Sequence, residues 1–137
     1  MMLVPCYLAP SSIEGLGVFS PVPIKKGDLV WLFDERFDRM IPKAEIDTAP
    51  EHLRAFFERY CYEMPGWPDH VALDADEGRF MNHSDAPNLD FRSPDRGIAL
   101  VDIPVGVELT CDYREFTSGQ LVFQGARHVL DRMGAAA

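Results

Sequence analysis

Three short stretches hold residue types that could do chemistry: Gly15-Leu16-Gly17, Arg79-Phe80-Met81-Asn82-His83-Ser84 with Pro87-Asn88 just behind it, and Glu108-Leu109-Thr110-Cys111-Asp112-Tyr113. Alternate glycines let a ligand approach the backbone closely, and they equally serve a plain β-turn. They are not a dinucleotide fingerprint, because Gly17 runs into Val18-Phe19-Ser20-Pro21 with no further glycine opening a helix. No glycine-lysine pair followed by serine or threonine occurs, so a nucleoside triphosphatase has no support. His83 and Ser84, with Asp85 or Asp112 nearby, supply the residue types of a hydrolase. Adjacent His and Ser do not readily present both groups to one carbonyl, and no GxSxG elbow exists. His83 also fits a hydrogen-bonded structural residue, and Tyr113 a buried tyrosine with a satisfied hydroxyl.

Metal chemistry is poorly supplied. His52, His70, His83 and His128 lie far apart without HxH or HxxxH spacing. Cys6, Cys61 and Cys111 are three single cysteines, which argues against both a thiolate zinc cluster and a disulfide framework. A reducing compartment is expected. Asp69, Asp74, Asp76 and Glu77 cluster without the glycine and terminal glutamate of a calcium loop, and read as a solvated acidic loop.

The elements that must position these residues belong to a chain of 137 residues, 47% hydrophobic and 26% charged. That composition predicts one globular domain over 1–137, with room for one core and one site. Net charge is −9, and the Lys and Arg residues are scattered, so no basic stripe offers itself to a phosphate backbone. The acidity serves solubility, or attraction of a cationic peptide. The first ten residues lack a basic segment followed by a long apolar run, and no stretch approaches a membrane span. A soluble intracellular protein, without a membrane partner, is the expectation.

Turn chemistry at Glu14–Gly17, Lys26-Gly27-Asp28 and Asp102–Gly106 separates strand-like segments at Val18–Ser20, Leu29–Phe33, Ile98–Val101 and Val107–Tyr113. Short strands between such turns predict a mostly β fold with a few helices. In the middle, Thr48 and Glu51 have capping-box spacing and Pro50 falls in a first turn. Leu53, Phe56, Phe57 and Tyr60 follow as one apolar stripe, expected to enter the core. A second helical pattern runs through Val122, Ala126, Val129, Leu130 and Met133, weakened by Gly125, toward an alanine end expected to fray.

The three segments in this order, with glycine turns at Ile24–Val30 and Asp102–Leu109, resemble the SET-domain protein-lysine methyltransferases. An asparagine-histidine-serine segment followed by Pro-Asn and then Glu-Leu-x-x-Asp-Tyr is a specific signature. The resemblance covers about residues 13–116. It implies small curved sheets of β-clip type with a knot-like C-terminal crossing that lays Tyr113 beside Asn82 and His83. It places an inserted helical segment at about 42–66 and a helical tail at about 117–134. S-adenosyl-L-methionine is the implied cofactor, held by Gly15, Leu16, Gly17, Arg79, Phe80, Asn82 and His83, and no metal is implied. Tyr113 is the implied catalytic residue, orienting the amine and the methyl group. Cys111, Tyr60, Tyr62 and Phe116 are candidates for the substrate channel, and Phe123 for closing it or covering the adenine, with the core the favoured place for the four aromatics.

The implied activity is methyl transfer to the ε-amine of a lysine in a protein, with a basic histone-like or ribosomal partner and no direct nucleic-acid contact. The location would be cytoplasmic, or nuclear in a eukaryote. A non-catalytic peptide-binding module of the same fold, and methylation of a small amine or a non-lysine side chain, are the alternatives. Two positions depart from the family pattern. Asp85 stands where a cysteine usually follows the serine, and Cys111 stands where Tyr or Phe is usual. The smaller Cys111 side chain leaves room for more than one methyl group.

Overall fold

Gly27 and Gly106 take positive φ of 90° and 76°. Each closes a turn: the Asp28 N–H donates to the Lys25 carbonyl (3.0 Å) and the Val107 N–H to the Pro104 carbonyl (3.3 Å). The two turns lie side by side, because Ile24 and Ile103, both buried, exchange backbone hydrogen bonds of 3.0 and 2.8 Å. The Asp102 carboxylate also accepts from the Lys26 N–H (2.9 Å). Each turn feeds a strand of a different sheet, so this pairing locks two sheets together.

The computed structural model describes residues 1–116. Its strands are β1 (Tyr7–Pro10), β2 (Leu16–Phe19), β3 (Leu29–Leu32), β4 (Arg39–Pro42), β5 (Tyr62–Glu63), β6 (His70–Leu73), β7 (Asn82–His83), β8 (Leu89–Asp90), β9 (Arg96–Ala99) and β10 (Glu108–Cys111). Its α-helices are α1 (Lys43–Asp47) and α2 (Glu51–Tyr60), and single 3-10 turns occupy Glu77–Phe80 and Tyr113–Glu115. The strands form three small sheets, ordered β1-β2-β10-β7, β3-β9-β8 and β4-β6-β5. The mostly β architecture expected from the turn pattern is the one observed.

The first sheet is mixed. β10 runs antiparallel to β2, pairing Leu109 with Val18, and parallel to β7, pairing Thr110 with Asn82 and Cys111 with His83. Val18, Val30, Leu89 and Leu109 have no exposed surface, and with Trp31 and Phe91 they form the main core between the first two sheets. A smaller cluster of Ile41, Cys61 and Val71 sits on the third sheet.

The middle helix corrects two expectations. No capping box forms: Pro50 is the N-cap of α2 without a side-chain bond, and the Thr48 hydroxyl donates backward to the Ala44 and Glu45 carbonyls (3.3 and 3.2 Å). A threonine ending a short helix finds those carbonyls closer than the next helix's N–H groups. The apolar stripe is also not core, since α2 buries no residue and Leu53 is exposed. Of the stripe, only Phe57 packs on the small third-sheet cluster, while Tyr60 contacts Phe80 and Phe56 lies against Tyr60. The predicted C-terminal helix, its frayed end and Phe123 lie outside the described residues. No helix among the described residues is long and apolar enough to cross a membrane.

Leu109 touches both β2 and the main core from the middle of the first sheet. Leu109→Ala is expected to lower unfolding free energy by about 2–5 kcal/mol through lost burial and a residual cavity, measured as a shift in urea midpoint at unchanged slope.

Candidate functional site

A cavity of about 290 Å³ opens between the Glu14–Leu16 loop, the end of α2 and the Gly78–Asn82 segment, with Tyr113 and Phe116 on its wall. Ten of the residues singled out from the sequence line it: Gly15, Leu16, Tyr60, Tyr62, Arg79, Phe80, Asn82, Cys111, Tyr113 and Phe116. Gly17 and His83 do not. Those two act from behind the wall, and each has a clear physical task there.

Gly17 lies under the Glu108 side chain, and a Cβ there would collide with the Glu108 carboxylate. That carboxylate accepts from the Asn82 side-chain amide and from the Ser11 hydroxyl, both at 2.8 Å. The same Asn82 amide nitrogen reaches the Glu14 and Leu16 carbonyls at 3.0 and 3.1 Å. Asn82 therefore pins the glycine loop to β7, and Gly15, at φ 50°, supplies the bend. Asn88 stitches the far side of β10: it accepts from the Thr110 N–H and donates to the Glu108 carbonyl, each at 2.8 Å.

His83 is buried, and its Nδ1 accepts the Tyr113 N–H at 3.0 Å. The ring proton is thereby placed on Nε2, which faces the Asp85 carboxylate at 3.3 Å. Arg114 binds Asp85 (3.0 Å) and Asp112 (2.8 Å), tying the turn after Tyr113 to the segment after His83. Asp85, the departure from the family pattern, is thus part of the scaffold that holds Tyr113. The Tyr113 hydroxyl donates to the Met81 carbonyl at 2.5 Å. Burial raises this phenol well above its ordinary range, so it stays protonated and its oxygen can only accept further bonds.

Asp74 overturns the expectation of a solvated acidic loop. Asp69 is exposed, but Asp74 is buried and lines the cavity. It accepts from the Tyr62 hydroxyl (2.8 Å) and the Trp31 indole N–H (3.1 Å). Burial pushes its carboxyl up to about 6, with Asp38 and Asp76 adding repulsion, while the Tyr62 hydroxyl and the chain's amino group pull the other way. β6 carries the buried Val71 and Ala72 into the interior, and the chain delivers Asp74 there before it turns out. The ring contacts Tyr62–Phe116 and Tyr113–Phe116, at 5.7 and 5.8 Å, complete an aromatic wall. Cys111 is buried beside them, its thiol pushed well above the usual range by desolvation.

The sequence reading missed Asp74, Trp31, Arg59 and Phe91 as cavity residues. An aspartate directly after an apolar run was the available signal for Asp74. Arg59 carried none, since an arginine in the last turn of a helix is ordinary.

Comparison with known proteins gives the family and the fold. The chain matches the SET domain family over residues 15–114 and belongs to that family. A candidate histone methyltransferase of Plasmodium falciparum is similar at 26% identity and TM-score 0.55, over 82% of this chain and 95% of that one. A humanized mutant of the Chaetomium thermophilum Polycomb Repressive Complex 2, bound to an inhibitor, shares the fold at 22% identity and TM-score 0.61, covering 84% of this chain. An apo form of that complex with two substitutions gives the same identity and TM-score. This chain spans only 15% and 16% of those two chains. No curated protein matches the sequence.

The Asp74 carboxyl, raised from 3.8 to about 6 by folding, favours the folded state most below pH 4 and loses that contribution as pH rises through 6. Asp74→Asn removes the titration. Between pH 4 and pH 7 the variant should gain on the parent by up to roughly 3 kcal/mol, read from denaturation at a series of pH values.

Proposed function

We propose that this protein transfers a methyl group from S-adenosylmethionine to the ε-amine of a lysine in a basic protein. The observation that carries this reading is the position of Tyr113: its hydroxyl, fixed on the Met81 carbonyl, stands on the same cavity wall as Asn82 and the glycine loop. The residues present suit the cofactor. Gly15 and Leu16 offer backbone at the cavity surface, and the Arg79 Nε is a buried donor with no partner of its own. When bound, S-adenosylmethionine supplies an electrophilic methyl on a sulfonium, open to in-line displacement.

A free lysine holds its proton to a pKa near 10.4, so the amine must be coaxed into its neutral form. Tyr62, Phe116 and Tyr113 present a largely apolar wall that desolvates an ammonium and lowers its pKa. The protonated Tyr113 hydroxyl has given its hydrogen to Met81, which leaves oxygen lone pairs to accept from the amine and hold it in line. Cys111, small and buried at this wall, leaves space for an amine that already bears a methyl. The −9 net charge suits a cationic partner.

The test is incubation with labelled S-adenosylmethionine and a panel of basic proteins, followed by mapping of the modified residue. Tyr113→Phe should slow transfer by about 10- to 100-fold, with calorimetric affinity for S-adenosylmethionine unchanged. Absence of cofactor binding at millimolar concentration would instead favour a non-catalytic peptide-binding module. Mass spectrometry of the product from a good substrate should show more than monomethyl-lysine. A product that stops at one methyl would remove the role given to Cys111.

A further inference from the structure

We propose that Arg59, at the end of α2, binds the carboxylate of the cofactor's amino-acid group together with Arg79. The inference rests on the reading of the cavity as the S-adenosylmethionine site and adds a ligand from the inserted segment.

Charge pairing and placement on the cavity together distinguish these two residues. Arg36, Arg92, Arg96 and Arg114 each bind an aspartate at 2.5 to 3.0 Å. Arg59 and Arg79 both line the cavity, yet among the described residues neither guanidinium has a carboxylate within 4.0 Å. Arg39 and Arg54 are likewise without a carboxylate within 4.0 Å among the described residues, but neither lines the cavity, so only Arg59 and Arg79 bring a guanidinium without a carboxylate partner to its wall.

Their placement defines an end of the cavity. The Arg59 Nη2 stands 3.7 Å from where a Cβ of Gly15 would lie, so its guanidinium hangs over the glycine loop. Arg59 also rests on the Tyr60 ring (5.7 Å) and Arg79 on the Phe80 ring (5.9 Å), and those two rings touch at 5.3 Å. The two cations thus flank one aromatic pair. Arg79 spends one Nη2 bond on the Ala75 carbonyl (3.3 Å), and its buried Nε is unpartnered. The Asn82 amide cannot serve an anion there, since it is already shared among three protein acceptors. Arginine forks match a carboxylate's geometry. The other part of the wall carries the Asp74 carboxyl beside Tyr62 and Phe116, a surface unsuited to a second carboxylate. A zwitterionic amino acid with a sulfonium is oriented by this polarity.

Calorimetry with two probes tests the proposal: S-adenosylhomocysteine, which has the carboxylate, and 5′-methylthioadenosine, which lacks the amino-acid group. Arg59→Gln should weaken S-adenosylhomocysteine about tenfold or more and leave 5′-methylthioadenosine within about twofold. Arg59→Lys should restore part of the loss. Arg59 is exposed on a helix end, so these variants should keep the parent's melting temperature. Unchanged S-adenosylhomocysteine affinity, or equal loss of both probes, overturns the role of Arg59. If the parent protein binds neither probe at millimolar concentration, the cofactor reading itself fails.

Discussion

The parallel pairing of β10 with β7 brings together segments nearly thirty residues apart, Thr110 against Asn82 and Cys111 against His83. Two-residue β7 has little pairing energy of its own, so the contact depends on side chains that bind across it. Asn82 reaches Glu108 and the glycine loop, Asn88 binds the β10 backbone, and His83 accepts the N–H of Tyr113. Each is a buried or half-buried polar group whose partner lies on a distant segment. Loss of one such bond leaves its partner unsatisfied, which makes the arrangement specific as well as cohesive. The cavity exists because these bonds close one end of the first sheet around it.

Apart from Arg59 and Arg79, the polar side chains named on the cavity wall are held rather than free. The Tyr113 hydroxyl is committed to Met81, the Tyr62 hydroxyl and Trp31 indole to Asp74, and the Asn82 amide to three oxygens. Such commitment fixes orientation before any ligand arrives, which is how a methyl-transfer site would use its structure, since positioning accounts for much of the barrier lowering. The cost is a buried carboxyl, Asp74, whose charged form the interior disfavours. Its two donors offset part of that penalty and keep the aromatic wall in register.

The inserted segment has a different character. α2 buries no residue; Phe57 packs on the third-sheet cluster, and Tyr60 reaches Phe80 and the cavity edge. A helix so placed lies outside the main core and lends Arg59 and Tyr60 to the cavity wall. Variation there would alter the site while leaving the paired glycine turns and the main core intact.

Much of this was legible in consecutive residues. The glycine turns, the apolar runs of β3, β9 and β10, and the extent of α2 depend on neighbours a few positions apart. The order of the three motifs also identified the family and pointed to the meeting of Tyr113 with His83. Two-residue strands such as β5, β7 and β8 carry no periodicity, and only their partners define them. Thr48 and Glu51 had the spacing of a cap, yet the competing carbonyls of α1 took the hydroxyl. Asp74 and Asp69 look alike in the chain, but β6 carries one inward and leaves the other in water. The sequence by itself determined the local elements, the polar motifs and their kinship. Only the tertiary structure decided which polar groups face the cavity and which brace it from behind, because burial and hydrogen-bond partners are set by segments remote along the chain.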